Sequence, residues 1–154
     1  MLETSTAPIS TLPDDSNLTD LALAVAQETP QAPVYAVPNG VGGWVDISYR
    51  DFFDRVRALA KGLVHHGVKP GDLVALMAPT SYEWALVDQA IWFAGAISVR
   101  IYETSSPAQV RHILTDSGAR LVFTGGEKQH RAVERALDDA EGLDAAELRL
   151  FSMD

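Results

Sequence analysis

One stretch decides the fold of this chain: Gly67-Val68-Lys69-Pro70-Gly71-Asp72-Leu73-Val74-Ala75-Leu76-Met77. Glycine readily takes the left-handed conformation that ends a helix, and proline cannot continue one. Pro70-Gly71 then predicts a turn, and the apolar run from Leu73 to Met77 has the length of a strand covered on both faces. The stretch therefore predicts a helix end, a tight turn and a buried strand.

Upstream of this stretch, the pattern predicts an arm, a short helix, a hairpin and a long helix. Residues 1–16 are rich in Ser, Thr, Pro and Asp and predict a flexible arm, whereas Asn17 is a suitable N-cap for a short helix. The β-prone runs 34–37 and 44–49 flank a glycine-rich turn, which is typical of a hairpin. A long amphipathic helix then begins near Ser48, with apolar residues at helical spacing: Phe52, Val56, Leu59 and Leu63.

Downstream, predicted strands alternate with helices. The strands are residues 73–77, 97–101, 120–124 and 148–151, and the helices are residues 82–94, 106–114 and 127–141. This alternation favours an α/β fold with a layered, mostly parallel sheet and helices on both faces, preceded by the β-hairpin. The helix over residues 82–94 is apolar almost all round, which predicts burial between layers. Because no covering helix follows the last strand, we expect residues 17–154 to be an incomplete subdomain, truncated at its C-terminus.

Composition narrows the classes of function. The net charge of −9 argues against nucleic acid and against electrostatic docking on anionic lipid. The absence of cysteine excludes disulfides, thiolate catalysis and zinc–sulfur sites. No run approaches the roughly 20 apolar residues of a transmembrane segment, and Asp14, Asp15 and Asp20 give residues 18–26 the wrong charge for a signal peptide. We therefore expect a cytoplasmic protein, with peripheral membrane contact left open.

Three segments resemble the N-terminal part of adenylate-forming (AMP-binding) enzymes, above all bacterial long-chain fatty acid–CoA ligases. They are Trp44-Val45-Asp46-Ile47-Ser48-Tyr49-Arg50-Asp51-Phe52, the stretch 67–77 with its continuation to Ala96, and Ile101-Tyr102-Glu103-Thr104-Ser105-Ser106-Pro107 with its continuation to Phe123. The order and spacing of the segments make the resemblance specific. The Tyr-Glu-Thr-Ser-Ser run favours the long-chain acyl branch.

The resemblance implies an activity, but the motifs that perform it are missing from this sequence. Family members use ATP and Mg²⁺ to convert a fatty acid into an acyl-adenylate, and then transfer the acyl group to coenzyme A. The chemistry depends on positive charge around the reacting phosphates. The family's phosphate loop, adenine pocket, ribose-binding acid and C-terminal lysine have no counterpart in this sequence. We therefore predict no catalytic residue here, no tight cofactor binding and no activity of the isolated chain.

The resemblance also implies candidate cofactor-binding residues. In related synthetases the loop that matches Tyr102, Glu103 and Thr104 lies near the bound CoA nucleotide. A basic residue after the next strand, here Lys128 or Arg131, can meet its phosphates. A strand–glycine–helix junction presents free N–H groups to anions, which supports this hypothesis. The alternative is a plain turn between strand and helix with solvated basic residues.

Two further patterns bear on the site. The family usually has proline where this chain has Arg100, and an arginine at a buried strand end needs a partner or a path to water. This position suggests a tolerated change, a disabling mutation or a decayed gene copy. His65-His66 and Asp138-Asp139 lack the convergent ligands of a metal centre, so no metal site is predicted.

Two other functions stay open at this stage. One is a different adenylate-forming enzyme, either an acyl-AMP ligase or an amino-acid adenylation domain. The other is a small non-enzymatic α/β binding module that is complete in itself.

Overall fold

A computed structural model describes residues 5–7, 13–138 and 148–153. The elements are α1 (Leu18–Glu28), β1 (Pro33–Pro38), β2 (Trp44–Ser48), α2 (Tyr49–His65), β3 (Leu73–Met77), α3 (Tyr82–Phe93), β4 (Ile97–Ile101), α4 (Pro107–Ser117), β5 (Leu121–Thr124), α5 (Glu127–Asp138) and β6 (Arg149–Ser152). The predicted continuation of α5 over residues 139–141 lies outside the described residues, as does most of the predicted arm.

The predicted fold class is confirmed. Strands β1 and β2 form an antiparallel hairpin, and the other four strands form a parallel sheet in the order β4-β3-β5-β6. Strand β3 is central because it pairs with β4 on one side and with β5 on the other. Helices cover both faces of this sheet, as the alternating pattern predicts.

Side-chain alternation along β3 divides the core into two clusters. Val74 and Leu76 point into the cluster formed with α2 and α3, whereas Ala75 and Met77 point into the cluster formed with α4 and α5. All four side chains are buried. Successive residues of a strand face opposite sides of a sheet, so one apolar pentapeptide supports both layers of helices.

Helix starts lie where the capping residues predict them. Asn17 and Ser106 each form a capping box, and Ser48 and Ser81 each accept a hydrogen bond from the backbone N–H three residues later. Such caps satisfy N–H groups that have no partner within the helix. Gly118, in the left-handed conformation with φ 68°, ends α4.

The structure corrects the prediction that α3 is buried between layers. Val87, Ala90 and Ile91 are buried against α2 and the sheet, but Trp84 and Trp92 are only half-buried. Other described residues therefore cover this helix on some sides only, and not all of its apolar side chains are buried.

An aromatic cluster joins the hairpin to the helices. The Tyr35 ring lies 4.9 Å from the Phe52 ring and 5.6 Å from the Tyr82 ring, measured between centroids. Burial, reinforced by the nearby Tyr82 and Tyr49, raises the pKa of the Tyr35 phenol above its ordinary value. Tyr35 thus packs as an aromatic ring between α2 and α3.

The carboxyl ends of β3 and β5 approach each other very closely at Gly125. The Gly125 N–H donates a 3.0 Å hydrogen bond to the Met77 carbonyl. A Cβ added at Gly125 would lie 2.5 Å from the Ala78 Cβ. Only glycine fits this junction, which sets the spacing between the loops that follow the two strands.

We expect Gly125→Ala and Gly62→Ala to change stability in opposite directions. Overpacking at residue 125 should lower the free energy of unfolding by about 1–3 kcal/mol. Gly62 lies within α2, and an added Cβ there meets nothing within 4 Å. Alanine at residue 62 should raise the free energy of unfolding by up to about 1 kcal/mol, because glycine is a poor helix former. Urea unfolding followed by circular dichroism measures both, and equal effects would contradict the close approach at Gly125.

Candidate functional site

A cleft of about 520 Å³ opens at the carboxyl ends of β3 and β4. Its lining combines apolar, hydroxyl and charged side chains: Ala78, Thr80, Trp84, Arg100, Ile101, Tyr102, Glu103 and Thr104. Ligands of open α/β sheets bind outside the carboxyl ends of the strands, so the cleft has the expected location of a binding site.

The structure brings the predicted loop residues together in this cleft. Tyr102 is 85% exposed and Thr104 is also exposed, whereas Glu103 is half-buried. The Gln129 Nε2 donates a 3.3 Å hydrogen bond to the Glu103 carbonyl, and the Ser105 N–H donates to the Tyr102 carbonyl at 2.9 Å. The loop is therefore held by its own turn and by α5, while two of its side chains face solvent.

Lys128 and Arg131 lie elsewhere, in the first turns of α5. Both are exposed, and Arg131 forms an ion pair with Glu127 one turn earlier. Strand β3 separates β4 from β5, so neither residue lines the 520 Å³ cleft. A second cleft of about 490 Å³ is lined by Gly125 and Gly126 but by neither basic residue. Ala78 lines both clefts, so the two clefts are neighbours at one edge of the sheet.

Arg100 has the partner that its position requires. Its Nε donates to Asp88 Oδ1 at 3.0 Å, and its Nη2 donates to Asp88 Oδ2 at 2.8 Å. The Ser98 hydroxyl donates a further 2.7 Å hydrogen bond to Asp88 Oδ1. Sequence reasoning missed Asp88, although a carboxylate that interrupts the apolar run of α3 is itself a signal that a buried charge needs a partner.

Two indole rings complete the surroundings of Arg100. Its guanidinium carbon lies 5.4 Å from the ring centroid of Trp84 and 5.4 Å from that of Trp92. Both distances fall within the range of cation–π attraction. The Arg100 side chain nevertheless remains 49% exposed, so it has both the partner and the path to water.

Histidine side chains that could be considered as metal ligands contact neighbouring side chains instead. The described residues contain no group of three or more His, Asp or Glu side chains that could hold a metal ion. The His66 and Phe151 ring centroids are 5.6 Å apart, and His130 Nδ1 lies 3.2 Å from the Thr124 hydroxyl.

In the part of the chain that the structure describes, no helix has the length and apolar character needed to cross a bilayer.

A hairpin, a parallel sheet and a cleft at the strand ends define an α/β subdomain with a candidate ligand site at the usual place in open α/β sheets. The chain belongs to the AMP-binding enzyme family, which it matches over residues 23–151. It is 37% identical over 124 residues to the long-chain-fatty-acid–CoA ligase FadD15 of Mycobacterium bovis. That match covers 80% of this chain but only 20% of the ligase.

Solved structures share the fold. The N-terminal domain of FACL13 from Mycobacterium tuberculosis superposes with a TM-score of 0.76 at 23% identity, over 88% of this chain and 33% of that one. A benzoate CoA ligase from Burkholderia xenovorans gives a TM-score of 0.74 at 21% identity, over 89% of this chain and 26% of that one. These similarities establish the fold but do not distinguish the acid substrate.

We expect Arg100→Gln to destabilise the protein more than Arg57→Gln. The two arginine side chains have nearly equal exposure, 49% and 48%, but Asp88 is 5% exposed and the Arg57 partner, Asp54, is 61% exposed. Loss of Arg100 leaves a buried carboxylate without its cation and should cost about 1–3 kcal/mol. Loss of Arg57 should cost less than about 1 kcal/mol. Urea unfolding provides the comparison.

The double variant Asp88→Leu/Arg100→Val provides the second measurement. Since it removes both charges, it should recover much of the stability lost in Arg100→Gln. A double variant less stable than Arg100→Gln would contradict the assignment of the loss to an uncompensated Asp88.

Proposed function

We propose that this chain is the N-terminal part of a long-chain fatty acid–CoA ligase. The observation that carries the proposal is the 37% identity to a long-chain-fatty-acid–CoA ligase over 80% of the chain. The α/β subdomain with a cleft at its strand ends supports it. The complete enzyme uses ATP and Mg²⁺ to form an acyl-adenylate from a fatty acid, and then forms a thioester with coenzyme A.

In this proposal, residues 17–154 supply scaffold and part of the coenzyme A entrance. The exposed side chains of Tyr102 and Thr104, with Glu103 between them, meet the nucleotide of coenzyme A. Lys128 and Arg131, exposed at the start of α5, offer positive charge to its phosphates across the neighbouring cleft. The proposal assigns no catalytic residue to this chain, because the residues that surround reacting phosphates are not among its motifs. In this proposal the protein works in the cytoplasm.

A second candidate is an adenylate-forming enzyme that activates a different acid. The shared fold is compatible with it, because a benzoate CoA ligase superposes with a TM-score of 0.74, nearly that of the FACL13 domain. The substrate must therefore be decided by measurement on the complete enzyme.

The deciding experiment expresses the complete open reading frame that contains this sequence and supplies it with ATP, Mg²⁺ and one acid at a time. We expect acid-dependent exchange of pyrophosphate into ATP, and acyl-CoA formation, with palmitate and oleate but not with acetate or benzoate. The 154-residue chain assayed by itself is the matched control and should form neither product. Exchange with benzoate or an amino acid alone would favour the second candidate. Two outcomes would overturn the ligase proposal. One is activity of the 154-residue chain by itself, and the other is a complete protein that is inactive with every acid.

Lys128→Gln and Arg131→Gln test the role given to α5. Each removes one exposed positive charge, and together they should raise the KM for coenzyme A by about tenfold, since exposed charge pairs contribute up to about 1 kcal/mol each and about 1.4 kcal/mol is a factor of ten. Lys61→Gln, on the exposed face of α2, is the matched control and should leave this KM unchanged. An equal KM in the double variant and the control would show that the two residues are merely solvated.

A further inference from the structure

We propose that Arg100 is an anion-binding residue of the 520 Å³ cleft, where it takes a phosphate group of the bound nucleotide. The inference rests on the proposed function for the identity of that nucleotide. It adds a residue that lies at a position where the resembling enzymes usually have proline.

The hydrogen bonds of Arg100 fix the direction of its guanidinium. Nε and Nη2 form a bidentate pair with the two oxygens of Asp88, and Ser98 holds the same carboxylate in place. Among the described residues, no hydrogen-bond partner accompanies Nη1. An arginine has five N–H donors in a rigid fork, so the Asp88 pair leaves donors of Nη1 for a further acceptor.

The two tryptophans restrict the guanidinium from other directions. Trp84 and Trp92 each have their ring centroid 5.4 Å from the guanidinium carbon. A side chain held on several sides loses little further freedom when it binds a ligand, which is the principle of preorganisation. The Arg100 side chain as a whole is 49% exposed, so part of it is accessible to a ligand.

The lining of the cleft suits a phosphate group. Arg100 is the one cation among the eight described lining residues, and Thr80, Tyr102 and Thr104 add hydroxyl groups. Arginine matches the geometry of phosphate oxygens, and its hydrogen bonds to them are charge-assisted. Glu103 also lines the cleft and its negative charge opposes an anion, so its removal should strengthen binding.

A purely structural role explains the arrangement less well. Replacement of a buried ion pair by apolar residues is often neutral or stabilising, so stability alone is weak grounds for placing Asp88 in the core. A buried Asp88 that orients a more exposed Arg100 explains both exposures. The carboxylate is 5% exposed and the arginine side chain is 49% exposed. In this arrangement Arg100 contacts the ligand and Asp88 is a positioning residue.

Calorimetric titration of the complete protein with adenosine 3′,5′-bisphosphate, and with adenosine as the phosphate-free probe, tests the inference. We expect Arg100→Gln to weaken binding of the bisphosphate by about tenfold or more and to leave adenosine binding unchanged. Arg57→Gln, which removes a cation of equal exposure from α2, should change neither. Glu103→Gln should tighten bisphosphate binding, since it removes the opposing charge.

Several outcomes would overturn the inference. They are absence of bisphosphate binding by the parent protein, equal bisphosphate affinity in Arg100→Gln and the parent, and equal loss of affinity for both probes, which would indicate a structural defect. Arg100→Lys is the control for such a defect. Lysine keeps the positive charge but lacks the planar guanidinium, so this variant should bind the bisphosphate better than Arg100→Gln. The titration requires no turnover. Failure of the ligase proposal would appear as absent acyl-CoA formation, whereas failure of this inference would appear as an unaltered bisphosphate affinity.

Discussion

The burial of both faces of β3 is the constraint on which the rest of the structure depends. Val74 and Leu76 support one layer of helices, and Ala75 and Met77 support the other. A strand of this kind needs a paired strand on each side and helical cover above and below, because its backbone and side chains are otherwise exposed. The positions of β4 and β5, and of the loops after them, follow from pairing with β3.

The candidate site is a consequence of that central strand. Because β4 and β5 pair on opposite sides of β3, the loop that begins at Tyr102 and the turn at Gly125 lie on either side of Ala78. The close approach of Gly125 to Ala78 keeps the two clefts adjacent. Ligand contacts from separate parts of the sequence can therefore meet at one edge of the sheet.

Arg100 shows how a charged side chain near a strand end can be supported by its surroundings. The buried carboxylate of Asp88, the hydroxyl of Ser98 and two indole rings form its immediate environment. The fold is shared with enzymes for different acids, as the fatty acyl and benzoate ligases show. Side chains that line the cleft, such as Arg100, are therefore where its individual behaviour should be sought.

The sequence by itself determined the local structure. The apolar run of β3, the N-cap at Asn17 and the helical spacing that follows Ser48 predict where elements begin and end, because periodicity and capping act over a few residues. Only the tertiary structure decided the strand order, the position of Lys128 outside the 520 Å³ cleft and the pairing of Arg100 with Asp88. These depend on contacts between residues distant in sequence or on different elements, and local patterns carry no information about which surfaces meet. The half-exposed tryptophans of α3 have the same explanation, since composition records apolar character but not the neighbours that cover it.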